Sequence, residues 1–290
     1  MVLSVKNLTK KYNEKIAVNN INVSFKTGIN GLLGANGAGK TTLMKMLTTI
    51  SNPTHGEILL DGNNITNNAD EYRNILGFLP QDFNGYTDFT ASEFMYYMGK
   101  LKNISDKDIK IKTETMLKLI SLEDQINKKI KTFSGGMRRR LGIAQVFLND
   151  PKIIIFDEPT AGLDPKERIN FRNIISSIGE DRIIILSTHI VSDIENVASN
   201  IVVMKKGNIL KAGSKEDIIS DYDGVIWEMN LSESEVFSSK NFKNSSNYKT
   251  EVDGSITFHI VSNKKPHPKA IRTKAILEDV FLYHGSEETK

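Results

Sequence analysis

The residues Gly34-Ala35-Asn36-Gly37-Ala38-Gly39-Lys40-Thr41 match the spacing G-x-x-x-x-G-K-[ST], a loop that handles phosphate. Glycines let the backbone wrap closely around a phosphate group with successive amides turned inward. The helix that follows adds its positive N-terminal end. In such a loop Lys40 reaches the β- and γ-phosphates of a nucleoside triphosphate and the Thr41 hydroxyl ligates Mg2+. Taken alone, the loop says only that a triphosphate binds. Ile153-Ile154-Ile155-Phe156-Asp157-Glu158 adds two acids at the end of an apolar strand, the edge where open α/β sheets bind ligands. Asp157 is the candidate for Mg2+ and Glu158 for polarising an attacking water. Phe133-Ser134-Gly135-Gly136-Met137-Arg138-Arg139-Arg140 opens a helix with a serine and two glycines, a second anion site that no single chain needs for one triphosphate.

The elements around these residues follow from periodicity. Val2 to Leu8 and Ile21 to Phe25 alternate apolar and polar, as half-buried strands do. Ile29 to Leu33 predicts a strand leading into the glycine loop, and Lys40 to about Ile50 a helix leaving it. Strands are predicted from Gly56 to Gly62, Ile75 to Leu79, Lys152 to Phe156 and Arg182 to Ser187. Between about Asp82 and Asn149 the pattern is helical, with capping-box spacing at Thr90 and Glu93, a helix from Ser105 to Ile120, and a third opening at Ser134. Pro165 to Ile178 predicts a helix behind Asp164, and Ile201 to Ala212 a hairpin turning at Lys206-Gly207-Asn208. An α/β core with a helical insert is the coarse fold. Residues 232–247 are rich in Ser and Asn and predict loops or weak structure, before a strand at Ser255 to Val261 and a helix at Ala275 to Tyr283.

Composition removes whole classes of function. With no cysteine, disulfide scaffolds, thiolate zinc sites, iron–sulfur clusters and cysteine nucleophiles are excluded. The 38 Lys+Arg nearly balance 35 Asp+Glu, so net charge gives no reason to expect nucleic acid or an anionic membrane as partner. The densest apolar runs are far shorter than the roughly 20 residues of a spanning helix, and the N-terminus reads as a strand with no signal-peptide core. The expectation is a soluble, intracellular protein.

In this order the motifs resemble the ATP-binding cassette (ABC) ATPases over about residues 2–220. The resemblance implies an ABC-ATPase fold: a parallel-sheet core around the phosphate loop, an antiparallel β subdomain, and a helical insert at about 82–149. Residues 221–290 then form a small α+β accessory subdomain. It implies ATP held by Asn36, Gly37, Ala38, Gly39, Lys40, Thr41 and Thr42, with Tyr12 stacked on adenine. Gln81, in Leu79-Pro80-Gln81-Asp82, would touch Mg2+ and join core to insert. His189 would contact the γ-phosphate, and Ser134, Gly135 and Gly136 would close over nucleotide held by a second chain. Ala161-Gly162-Leu163-Asp164 would cross that interface, with Asp164 equally suited to cap its helix. Lys40, Gln81, Glu158 and His189 are thus the expected catalytic set, and Thr41, Gln81 and Asp157 the metal ligands.

Met137 stands where the family usually has glutamine. That departure, Gln81-Asp82, the three arginines and Leu277 to Leu282 resemble ATPases of ABC-2-type exporters. The arginines alone would suit a solvated helix face equally well. The resemblance implies a separate ABC-2-type permease at the inner face of the cell membrane, exporting a peptide or drug-like compound. It also implies a second ABC chain, identical or paralogous. Phe83, Tyr86 and Phe89 are the candidate permease contacts. A non-transport ABC ATPase or a regulatory nucleotide-binding module is the alternative; retention of Glu158 and His189 counts against the latter.

Overall fold

A computed structural model describes residues 1–222, 224–238 and 245–286. At its centre lies a six-stranded sheet in the order β10-β9-β3-β8-β7-β6, formed by β3 (Gly28–Leu33), β6 (Leu76–Leu79), β7 (Ile153–Asp157), β8 (Ile183–Thr188), β9 (Asn200–Lys205) and β10 (Asn208–Gly213). All but β10 run parallel. Parallel central strands are buried on both faces, which is why β7 and β8 read as unbroken apolar runs. Alternate residues serve different cores: Ile153, Ile155, Ile183 and Ile185 one, Ile154, Phe156, Ile184 and Leu186 the other.

The first core is closed by α1 (Lys40–Leu47) and an antiparallel sheet, β2-β1-β4-β5. That sheet comprises β1 (Val2–Tyr12), β2 (Lys15–Lys26), β4 (His55–Leu60) and β5 (Asn63–Asn64), with α2 (Ala69–Asn74) following it. The helical insert has its own core, including Phe94, Leu117, Ile130, Phe133 and Leu141. Its helices are α3 (Ala91–Leu101), α4 (Asp106–Leu119) and α5 (Gly135–Val146). The predicted capping box is present: Thr90 Oγ1 accepts from the Glu93 amide at 3.1 Å while Glu93 accepts from the Thr90 amide at 2.7 Å. Helix α6 (Pro165–Ile178) contributes Phe171 and Ile175 to the second sheet face. The β9–β10 turn is the two residues Lys206 and Gly207, both with positive φ, the combination of a type I′ hairpin.

Beyond α7 (Lys215–Ser220), β11 (Ile226–Leu231), β12 (Ser245–Thr250), β13 (Ile256–Val261) and β14 (Ile271–Arg272) form an antiparallel sheet ordered β12-β13-β11-β14. Here the reading of 232–247 as loop or weak structure is corrected at both ends. Ser232 and Glu235 form a capping box that starts α8 (Glu233–Ser238). Residues 245–247 belong to β12, while 239–244 lie outside the described residues. The final helix, α9 (Leu277–Ser286), does not stand off: Leu277 and Val280, with Ile226, are buried in the second core of the central sheet. Among the described residues no helix is long and apolar enough to cross a membrane.

One buried ionic contact ties α9 to this sheet. His259 of β13 lies 3.0 Å through Nδ1 from Asp279 of α9, and 3.5 Å through Nε2 from Glu228 of β11. The hydrogen bond to Asp279 holds the imidazole above its ordinary value, against the opposing effect of burial, and the two carboxylate charges add to the rise. A histidine whose pKa is raised on folding stabilises fully below its unfolded value of about 6.5 and loses that contribution as pH climbs through the folded one. Trp227 of β11, the only tryptophan in the chain, is a local reporter. Unfolding followed by its fluorescence should therefore shift to lower temperature as pH rises above about 6.5 and through the raised folded value. His259→Asn should flatten that slope; an unchanged slope in the variant would remove the ion pair from the account.

Candidate functional site

Strand β3 ends at Leu33 and the chain turns through 34–39 into α1, whose first-turn amides have no intrahelical partner. The turn is sterically exacting at Gly39: φ is +106°, and a Cβ there would meet the Ala17 carbonyl oxygen at 2.5 Å. A cavity of about 540 Å³ opens at this point. Asn36, Gly37, Ala38, Gly39, Lys40, Thr41, Thr42, Gln81 and Glu158, all named from the sequence, line it. Sequence reading missed Lys15, Ile16, Ala17, Lys206 and Gly207, which two hairpins bring to the rim.

From the cavity outward the ionisable groups form a chain. Lys40 Nζ donates to the carbonyls of Gly34 and Ala35 at 2.7 and 3.3 Å and stands 3.1 Å from Glu158 Oε1. Both side chains are about 95% buried, the lysine 5% and the glutamate 6% exposed. The second carboxylate oxygen, Oε2, lies 2.9 Å from His189 Nδ1 at the end of β8. One carboxylate thus bridges a lysine and a histidine brought from strands 25 or more residues apart in sequence.

Glu158 is itself held in an unusual backbone. Its φ is +49°, left-handed, a conformation that costs a non-glycine residue about 1–2 kcal/mol. The surroundings over-determine it. Its amide donates to the carbonyl and the hydroxyl of Ser187, at 3.2 and 3.0 Å, and the same hydroxyl donates to Asp157 Oδ1 at 2.6 Å. Ser187 is fully buried and ties both acids to β8. Asp193, also buried, accepts from Thr160 Oγ1 at 2.5 Å and Thr188 Oγ1 at 3.1 Å, linking the segment after Glu158 to the residue before His189. Neither residue carried a signal in sequence, because a serine ending a strand and a lone aspartate are ordinary.

The remaining expected residues lie outside the cavity lining. Tyr12 is exposed at the β1–β2 turn beside the rim residues Lys15 and Ile16, with Lys10 Nζ 5.1 Å from its ring centre. Asp157 is buried beneath the site. Ser134 and Gly135 are exposed at the start of α5 and Gly136 follows them, with Ser134 Oγ capping the Met137 amide at 3.1 Å. Asp164 caps α6 through the Glu167 amide at 2.8 Å. Thr41, Gln81 and Asp157 offer a hydroxyl, an amide oxygen and a carboxylate, a set of hard oxygen donors that fits Mg2+. Among the described residues no cluster of three His, Cys, Asp or Glu suggests another metal centre.

The alternative of a solvated arginine face is corrected here. Arg138 Nη1 donates to the Phe133 carbonyl at 2.5 Å, and Arg140 donates to the Ile120 carbonyl at 2.9 Å and faces Glu167 at 3.3 Å. Arg139 is buried, at 6% exposure. Successive helical residues point about 100° apart, so three arginines in a row cannot share one face.

Known proteins resemble this chain in sequence and in fold. Residues 18–161 match the family model described as ABC transporter. An uncharacterized ABC transporter ATP-binding protein of Bacillus subtilis is 35% identical over 80% of this chain and 77% of its own. The Nod factor export ATP-binding protein I of Cupriavidus metallidurans is 31% identical over 97% of this chain and 96% of its own. Among solved structures, an ATP-binding subunit of an ABC transporter superposes with a TM-score of 0.70 at 25% identity, covering 77% of this chain and 93% of that one. A bacterial ABC transporter cassette, solved as a dimer and also in a post-hydrolysis state with ADP and Pi, gives 0.68 at 26% identity over 73% of this chain and 98% of that one. A phosphate loop facing a carboxylate–histidine pair on this fold, with a relative alike almost from end to end, makes the chain a member of the ABC transporter family, as an ATP-binding subunit that hydrolyses ATP.

Proposed function

We propose that this chain drives an ABC-2-type exporter: two cassettes, identical or paralogous, close head to tail over two ATP molecules, and a separate permease converts that motion into transport. One observation carries the reading. Lys40 and Glu158 line one cavity and His189 is bonded to Glu158, whereas Ser134 and Gly135, donors of the kind that bind phosphate, are exposed at the start of α5 and do not line it. An exposed set of phosphate donors suits nucleotide held by a second chain. The dimeric cassette supports that pairing, and the Nod factor export relative supports export. The transported compound meets the permease, so this chain carries no selection among peptides, drug-like molecules or other cargo.

In the proposed cycle the α1 amides and Lys40 bind the β- and γ-phosphates, and Lys40 exchanges its contact with Glu158 for phosphate oxygens. Glu158 then orients the attacking water and draws off its proton as the bond to phosphorus forms. His189, bonded to Glu158, keeps that carboxylate aimed and senses the γ-phosphate. Tyr12 stacks on adenine. Thr41, Gln81 and Asp157 would hold Mg2+, which when bound neutralises charge on the phosphate oxygens. Ser134, Gly135 and Gly136 of the second chain complete the donor set as the site closes, and Asp164 fixes the interface loop by capping α6.

Residues 1–220 make up the motor in this reading and 221–290 an accessory part. Tyr86, half exposed, packs against Phe89 and Tyr97 with ring centres 5.3 and 5.2 Å apart. That aromatic patch, next to Phe83, is the proposed permease contact, holding the chain at the cytoplasmic face of the membrane. The test is ATP hydrolysis per chain against protein concentration, with sizing in Mg·ATP. Upward curvature accompanied by dimer formation is expected. A flat rate from a species that stays monomeric in Mg·ATP would overturn the sandwich.

A further inference from the structure

A guanidinium carries five N–H donors in one plane, and Arg139 uses every one on a backbone carbonyl. Nε donates to Pro159 at 2.9 Å. Nη1 donates to Pro80 and Gln81, both at 2.8 Å. Nη2 donates to Asp157 at 2.8 Å and Glu158 at 2.5 Å. The acceptors belong to two separate segments: the one that leaves β6 for the helical insert and carries Gln81, and the one that ends β7 and carries both acids. Arg139 itself belongs to α5, the helix that Ser134 opens. Six residues along, Gln145 donates to the Phe78 carbonyl at 3.1 Å, so α5 grips β6 as well as the segment after it.

We propose that Arg139 is a positioning residue for hydrolysis: it locks the Gln81 segment to the Asp157–Pro159 segment and makes their spacing follow the orientation of the helical insert. The inference rests on the roles assigned above to Gln81 and Glu158. Carbonyls at the ends of parallel strands need donors; water could serve them, but water would let the two segments drift independently. A planar cation that satisfies all of them fixes distance and angle together. It also holds the left-handed Glu158 from the carbonyl side while Ser187 holds it from the amide side. Burial lowers the pKa of the guanidinium to about 10, opposed by the charges of Asp157, Glu158 and Asp82, so it remains a cation at neutral pH. A lysine has at most three donors and no plane, and cannot replace it. Because Arg139 and Ser134 share α5, any rotation that swings Ser134 toward the second chain's nucleotide also pulls on Gln81 and Glu158.

The experiment compares wild type with Arg139→Lys, Arg139→Gln and Arg139→Ala in steady-state Mg·ATP kinetics, in equilibrium binding of a non-hydrolysable ATP analogue, and in amide exchange. Arg139 does not touch the phosphate loop, so analogue affinity is expected to stay close to wild type. A misplacement of the order of 1 Å should lower kcat roughly a hundredfold in the alanine variant, with the lysine variant between it and wild type. Exchange should accelerate across 81–84 and 157–161 and not across 37–43. A folded lysine or glutamine variant with wild-type kcat would overturn the proposal, as would kcat and affinity falling together. Should the alanine variant not fold, the lysine variant decides, since it keeps the cation. An inactive wild type would count against the hydrolytic roles of Gln81 and Glu158, and the exchange comparison would then decide the positioning role by itself.

Discussion

Glu158→Gln is expected to keep ATP binding and to lower turnover on the order of a thousandfold, the weight of a well-placed general base. Glutamine has the same reach and keeps an oxygen for Lys40, but it cannot take a proton from water. The variant also removes the negative partner of a lysine that is only 5% exposed. A buried cation without its anion is costly, so Lys40 should turn to phosphate more readily than in the wild type. Binding should hold or tighten while hydrolysis stops, and the closed dimer should accumulate with ATP. Single-turnover hydrolysis and sizing in Mg·ATP read both effects. A variant that kept more than about a tenth of the wild-type rate would assign the base elsewhere.

Lys40→Ala should fail at the earlier step. It removes a cation from the phosphates and leaves Glu158 buried without its lysine, bonded to His189. A charge-assisted contact to two phosphate groups contributes roughly 3 kcal/mol, on the order of a hundredfold in affinity. Titration with a fluorescent ATP analogue measures the loss directly. Wild-type affinity in the variant would mean that the loop amides bind nucleotide unaided and that Lys40 serves only to hold Glu158. The two substitutions therefore separate binding from chemistry at the two ends of one ion pair.

Much of this site could be read from sequence because its signals are local. The phosphate loop, the acids closing β7 and the Thr90–Glu93 capping box each occupy a few consecutive residues whose types are dictated by backbone geometry. Arg139 shows the limit. Its acceptors are backbone carbonyls 18–20 and 58–59 residues away, and a carbonyl has no residue type to recognise. Ser187 and Asp193 escaped for a similar reason, since the contacts that make them important reach residues 157–160, about 30 residues away in sequence. The C-terminal region escaped differently. Composition cannot separate serines on a strand from serines in a loop, and the pairing of β11 with β13 and β14 spans 25 to 45 residues. The seam between 221–290 and the core was equally hidden, because Ile226, Leu277 and Val280 acquire neighbours only when the sheet forms.

The central claim is that one chain completes the other's site, and mixing two inactive variants tests it most directly. Lys40→Ala disables the phosphate loop. Ser134→Asp keeps a good helix cap while setting a carboxylate where the second chain's phosphate would lie. Each variant alone should be inactive. Mixed in equal amounts, half of the randomly assorted dimers carry one intact composite site, so hydrolysis should return toward about a quarter of the wild-type rate. A mixture no more active than its separate components, although sizing and affinity tags show that mixed dimers have formed, would contradict the shared site.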